Sequence, residues 1–140
     1  MIRRAAALLV LVLAACPGVP RPLEEPQVTL RAAEVVDTSL SAVLQVVNPN
    51  HEALVVEAAD WQLEVNDEPV ARGRQDLHVD VAALAPASLH LEAILGAPPP
   101  AGHAALSGTI HFRAARGLVA ASFYGAVEAS FATRASSAGR

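Results

Sequence analysis

The chain has 140 residues, 53% of them apolar, and ten basic residues against fourteen acidic ones give a formal net charge of −4. This apolar share is too high for a disordered chain, and the length is enough for one domain with a real core. All basic residues are arginines without a basic run, which argues against a nucleic-acid-binding face.

Residues 1–15 have the form of a secretory signal peptide. Arg3 and Arg4 open it, and residues 5–13 form an apolar stretch well short of the about 20 residues that span a bilayer. Residues 13–16 read Leu-Ala-Ala-Cys and match the bacterial lipobox. The resemblance implies cleavage before Cys16 and lipid on its sulfur and amino group. The alternative is an ordinary signal peptide in which Cys16 is incidental.

The residues after the cysteine bear on where the chain is anchored. Pro17 stands where an aspartate would retain a lipoprotein in the inner membrane. The resemblance to lipoproteins of Gram-negative bacteria therefore implies an outer-membrane anchor that faces the periplasm. Residues 16–27 contain four prolines, and such a segment predicts a stiff, extended tether that reaches about 30 Å at about 3.1 Å per residue.

From Val28 onward, apolar residues recur at every second position, which is the period of strands with one buried face. The pattern predicts seven or eight strands, an all-β fold and an antiparallel β-sandwich over residues 28–133, followed by a flexible tail over residues 134–140. The clearest alternating sets are Leu40, Ala42, Leu44 and Val46; Leu77, Val79 and Val81; Leu89, Leu91, Ala93 and Leu95; Leu106, Gly108, Ile110 and Phe112; and Phe123, Gly125, Val127, Ala129 and Phe131.

Local breaks in this pattern predict turns and irregularities. The alternation changes phase around Ala58-Ala59, which indicates a bulge or kink. Asn66-Asp67 suits a tight hairpin turn with positive φ angles, and Gly73 indicates a close backbone approach or a bulge. Residues 96–102 contain three consecutive prolines and predict an internal loop. Residues 114–121 are the single candidate for a short helical turn.

An Asn-Pro-Asn sequence, Asn48 to Asn50, follows the aliphatic stretch that ends at Val47. Pro49 lacks a backbone N–H and cannot continue a central strand. Asparagine side chains bond backbone groups in turns and tolerate left-handed conformations. We expect a braced corner between two strands; the alternative is that Asn48 and Asn50 serve a function directly.

This corner, an aromatic residue at Trp61, an Asn-x-x-x-Val turn at residues 66–70, Gly73 and a strand pair around Pro86 resemble the group 2 late embryogenesis abundant (LEA) proteins. Their shared unit is the water stress and hypersensitive response (WHy) domain. The resemblance covers residues 28–95, with tryptophan where tyrosine is more usual.

The resemblance implies a β-sandwich of fibronectin III or immunoglobulin-like type and a role in desiccation or other stress. It implies no cofactor and no catalysis. Bacterial members of the family are often secreted or lipid-anchored, which agrees with the lipobox at Cys16.

The histidines and serines of the chain show no motif of a metal or catalytic site. His78, His90 and His111 are expected on outward faces of strands, but no short-spaced ligand pair predicts a metal site. No serine lies in a Gly-x-Ser-x-Gly elbow, so no catalytic residue is predicted. Val43 and Val47 are expected to point outward, either beneath a loop or as a surface for a partner.

The sequence thus predicts a non-enzymatic, lipid-anchored envelope protein in stress protection, which shields proteins or membrane surface weakly. Its partners would be the membrane, through Cys16, and protein clients, with no nucleic acid, small-molecule substrate, cofactor or metal. The alternative is a structural or assembly lipoprotein that binds one envelope partner through a sheet edge or the Asn-Pro-Asn corner. An enzyme, the third hypothesis, would need a pocket with convergent polar groups.

Overall fold

The computed structural model describes residues 21–130, and over that range the chain forms seven β-strands and no helix. The strands are β1 (Gln27–Val36), β2 (Ser39–Val47), β3 (Leu54–Val65), β4 (Glu68–Val81), β5 (Pro86–Ile94), β6 (Ala104–Ala114) and β7 (Gly117–Ser130). The predictions for the signal peptide, Cys16, Phe131 and the tail lie outside the described residues.

The strands hydrogen-bond in one order, β4-β3-β6-β7-β1-β2-β5. β7 runs antiparallel to β6 as far as Val127, and its last three residues then pair in parallel with residues 34–36 of β1. The edge strands β4 and β5 also approach each other, because the Glu92 backbone N–H donates to Gln75 Oε1 at 3.0 Å. The result is a nearly closed sheet around one core.

The all-β class and the seven strands are confirmed. Five of the six strand pairings are antiparallel, as predicted, and the exception is the end of β7, which extends beyond β6 and pairs with β1 in parallel. The fibronectin III or immunoglobulin-like sandwich is not confirmed, because three parallel residue pairs between β1 and β7 join all strands into one nearly closed order. The helical turn at residues 114–121 is wrong. Gly117 (φ +148°) lets the chain reverse directly into β7.

The period-two pattern correctly places the core. Leu40, Ala42, Leu44 and Val46 of β2 are at most 3% exposed, and the residues between them are half-buried. The predicted irregularity in β3 is confirmed by a register shift between Val56 and Ala58. This shift lets the later apolar residues of β3 continue to face the core.

Trp61 is the large aromatic residue of β3 and is 8% exposed. Gly73 on β4 and Gly108 on β6 lie opposite it in the register. A Cβ atom at Gly73 would stand 2.6 Å from Cζ2 of the indole. The predicted close approach at Gly73 is therefore confirmed, and its cause is the Trp61 ring.

The hairpin between β3 and β4 is also as predicted. Asn66 and Asp67 have φ angles of 52° and 66°, the conformation of a tight two-residue turn. Asn66 further fixes the loop before β6, since its Oδ1 accepts the His103 backbone N–H at 3.1 Å.

Candidate functional site

Asn48 and Asn50 are the two buried polar side chains among residues 21–130, at 0% and 5% exposure. Asn48 Nδ2 donates to the carbonyls of Glu52 (2.8 Å) and Ala82 (3.2 Å), and its Oδ1 accepts the Asn50 backbone N–H at 2.9 Å. Its own N–H donates to the Ala85 carbonyl at 3.1 Å. Asn48 thus joins the corner between β2 and β3 to the connection between β4 and β5.

Asn50 binds the segment that precedes β1. Its Oδ1 accepts the Glu24 backbone N–H at 2.7 Å, and its Nδ2 donates to the Glu24 carbonyl at 2.9 Å. A side-chain amide that satisfies both backbone groups of one residue replaces a neighbouring strand. The Asn50 carbonyl accepts the Leu84 N–H at 3.1 Å.

Arg116, in the turn between β6 and β7, reinforces this arrangement. Its Nε donates to the Glu52 carboxylate at 2.5 Å, and its guanidinium also donates to the Arg21 carbonyl. Leu23 packs against the core and Pro26 is buried. Residues 21–26 therefore lie against the domain, and of the segment expected as a tether, residues 16–20 lie outside the described part.

The corner, the docked segment and two neighbouring connections form one end of the domain, which we call the corner end: residues 21–26, 48–53, 82–85 and 115–118. Two leucines stand exposed there, Leu84 (58%) and Leu118 (76%). Val47 at the end of β2 is 37% exposed, whereas Val43 is half-buried. The opposite end also presents an aliphatic side chain, Ile94, at 79% exposure.

A charged cluster lies on the outer face of β3, β4 and β6. His111 Nε2 and Asp60 Oδ2 share a hydrogen bond of 2.7 Å, and Arg74 Nη1 stands 3.2 Å from the same carboxylate oxygen. The hydrogen bond with His111, aided by the charge of Arg74, holds the pKa of the Asp60 carboxyl below its usual 3.8 against the opposing effect of desolvation.

The outward histidines do not converge. His78 and His90 are exposed on β4 and β5, and His111 is half-buried beside Asp60. Residues 21–130 hold no group of three His, Cys, Asp or Glu side chains placed to bind a metal ion. Over the same residues, the chain forms no apolar helix of membrane-spanning length.

An open depression with a volume of about 730 Å³ lies beside this cluster. Its lining includes Asp60, Arg74, Thr109 and Ser122 around the edge of Trp61. The Asp60 carboxylate at this edge already shares a hydrogen bond with His111 and an ion pair with Arg74. A second depression, of about 480 Å³, lies between Arg21, Pro49, His51 and Arg116 at the corner end.

Sequence reasoning identified Asn48, Pro49 and Asn50 but not their partners. Glu24 lies 26 residues from Asn50 along the chain, and no local signal relates the two. The contact of Arg116 with Glu52 joins residues 64 apart. The exposed Leu84 also lacked a signal, because its loop has neither the glycine nor the asparagine that usually marks a left-handed position.

No family model matches the chain, and no curated protein matches it in sequence. Among solved structures, the fold is similar to the solution structure of a candidate late embryogenesis abundant protein, with a TM-score of 0.57 and 12% identity over 72% of this chain and 68% of that one. It is also similar to the X-ray structure of a structural-genomics target (TM-score 0.55, 10% identity, 74% and 88% coverage). At such identities, this likeness establishes a shared all-β fold.

Proposed function

We propose that this protein is a non-enzymatic, lipid-anchored protein of the bacterial envelope that protects neighbouring proteins or the membrane surface during drying or related stress. The observation that carries the stress role is the fold shared with a candidate LEA protein. The Asn-Pro-Asn corner also supports it, because this corner is part of the resemblance to the LEA proteins. Its buried amides bond backbone groups of neighbouring segments.

The surface charge suggests how such protection would work. Cleavage before Cys16 would leave the chain with all fourteen of its carboxylates and eight of its ten arginines, for a formal net charge of −6. Like-charged, hydrated surfaces repel one another and resist association. A layer of such domains would keep envelope proteins apart from one another as water is lost. Its own contacts with those proteins would be weak and reversible.

The anchor is the second part of the proposal. The lipobox at residues 13–16 supports lipidation of Cys16, the single cysteine of the chain. Each buried CH₂ contributes about 0.8 kcal/mol, so two or more acyl chains hold a protein stably where one chain does so marginally. We place the protein at the outer membrane, facing the periplasm.

Survival after drying and rewetting tests this proposal. The strains are the wild type, a deletion, and deletions complemented with the wild-type gene or with Cys16→Ala. We expect the deletion to survive less well, the wild-type gene to restore survival and Cys16→Ala to fail despite normal folding and abundance. Rescue by Cys16→Ala would support the stress role and show that this role does not need the lipid anchor.

Equal survival of all strains would contradict the stress role. The alternative, a structural or assembly lipoprotein with one specific envelope partner, then predicts a stoichiometric protein in a mild crosslinking pull-down. The atoms of Asn48 and Asn50 already bond within the chain, so that partner would have to use a sheet edge or the surface around the corner.

A further inference from the structure

We propose that the corner end of the domain lies against the lipid bilayer, with Leu84 and Leu118 as the side chains that enter it. This inference rests on the proposed lipid anchor at Cys16. It adds to that anchor a fixed orientation of the domain and a second, non-covalent contact with lipid.

The length of chain between Cys16 and the domain limits how far the corner end can stand from the membrane. Asn50 and Arg116 hold residues 21–26 against the corner end, so Arg21 has a fixed place there. Cys16 and Arg21 are five residues apart, a span of at most about 18 Å for an extended chain. The eleven residues of β6 alone extend about 36 Å. A lipid on Cys16 would therefore keep the corner end near the headgroups, while the opposite end projects away.

The corner end presents two leucine side chains to its surroundings. Leu84, in the connection between β4 and β5, is 58% exposed, and Leu118, at the start of β7, is 76% exposed. An aliphatic side chain gains free energy on leaving water for hydrocarbon. Because both leucines lie at the end to which the anchor leads, the bilayer is the apolar phase within their reach.

The backbone of Leu84 has a positive φ angle, which is unusual for leucine. Four non-glycine residues of the described chain have positive φ angles, and the other three are Asp37, Asn66 and Asp67. Asparagine and aspartate tolerate this conformation, whereas leucine has no polar side chain to compensate for it. Its N–H is fixed by the Asn50 carbonyl. A strained residue that the fold holds in place, with its apolar side chain in water, indicates a functional contact.

Fluorescent probes on the lipidated full chain test the orientation. Three variants, L84C, L118C and the matched control I94C at the opposite end, each carry a single free thiol, because the lipid blocks Cys16. Each is labelled with an environment-sensitive dye and reconstituted in vesicles of phosphatidylethanolamine and phosphatidylglycerol (3:1). Lipids with a spin label on the acyl chain then quench any dye that enters the bilayer.

We expect blue-shifted emission at positions 84 and 118 and at least threefold stronger quenching there than at position 94. Equal quenching at all three positions, or stronger quenching at 94, would overturn the inference. Circular dichroism checks that each variant is folded, and if L84C is not, the comparison of L118C with I94C decides.

Mass spectrometry of the purified chain separates this inference from the proposed function. If Cys16 carries lipid but the dyes at 84 and 118 remain unquenched, the docked orientation is wrong and the anchor stands. If Cys16 carries no lipid, both the anchor and the inference that rests on it are wrong.

Discussion

The side-chain amide of Asn50 bonds both backbone groups of Glu24, a residue 26 positions earlier in the chain. The amide makes the two backbone hydrogen bonds that a neighbouring strand would otherwise make. It holds the entry segment of the domain to a corner that Asn48 in turn fixes to the connection between β4 and β5. Removing the side chain of Asn50 should therefore release the entry segment, while the bonds of Asn48 to the connection between β4 and β5 remain.

Replacing Asn48 or Asn50 by alanine should destabilise the domain to different extents. Asn48→Ala leaves buried carbonyls and the Asn50 N–H without partners, and we expect a loss of about 2–3 kcal/mol in the free energy of unfolding. Glu24 lies at the surface, so after Asn50→Ala water can bond its backbone N–H and carbonyl. The free energy of unfolding should therefore fall by only about 1–2 kcal/mol. Urea unfolding measures both.

Hydrogen exchange provides the control for this pair. In Asn50→Ala, the Glu24 amide should exchange faster, whereas the Ala85 amide, which donates to the Ala82 carbonyl at 3.3 Å, serves as an internal reference. Unchanged protection at Glu24 would show that the side-chain amide of Asn50 does not hold the entry segment.

Gly73→Ala should destabilise the protein by about 1–3 kcal/mol, because the new methyl group would stand 2.6 Å from the Trp61 ring in a packed layer. Gly96→Ala is the matched control. Its Cβ would have no neighbour within 4 Å, so this change should be neutral or slightly stabilising. Urea midpoints from circular dichroism compare the two, and equal midpoints would argue against close packing at Gly73.

Leu84→Asn should raise the free energy of unfolding by about 1 kcal/mol, because asparagine adopts the left-handed backbone of this position more readily than leucine. Leu118→Asn removes another exposed leucine that has no positive φ angle, and it should change stability by less than about 0.5 kcal/mol. Thermal unfolding of the two variants tests the difference. A destabilised Leu84→Asn would mean that the leucine side chain contributes to the fold itself.

The Asp60 carboxyl should make stability depend on pH in the acid range. Its pKa in the folded state lies below the usual 3.8, so the unfolded chain binds a proton more readily. The stabilisation is therefore present above that usual value and is lost as pH falls through the lower pKa of the folded state. Asp60→Asn should remove this component, and its stability difference from the wild type should shrink as the pH is lowered through this window.

Asp76→Asn is the control for this acid dependence. The Asp76 carboxylate also lies near Arg74, at 3.7 Å, but its side chain is 82% exposed compared with 46% for Asp60. We expect Asp76→Asn to reproduce the acid profile of the wild type. Parallel profiles for Asp60→Asn and the wild type would contradict the role of the bond to His111.

Features that depend on neighbours along the chain could be predicted from the sequence. The alternation from Leu40 to Val46 correctly gives the buried face of β2, since side chains of a strand alternate whatever it pairs with. The turn at Asn66-Asp67 and the phase change before Ala59 are equally local. In each case, the residue type restricts the backbone within two or three positions.

Features that join distant segments could not be predicted. The parallel contact of residues 34–36 with the end of β7 depends on where two strands meet in space, which period-two alternation does not specify. The bond between Asp60 and His111 connects residues 51 apart. The docking of the segment at Glu24 depends on the side-chain amide of Asn50, 26 residues further along the chain, which no local pattern indicates.

The place of β7 in the strand order has a consequence for how the chain folds. β7 is last in sequence but central in the sheet, with β4-β3-β6 on one side of it and β1-β2-β5 on the other. Without β7, the two three-stranded groups share no ladder of backbone hydrogen bonds. We therefore expect a chain truncated before Gly117 to leave two groups of strands whose central edges are unpaired and prone to aggregate.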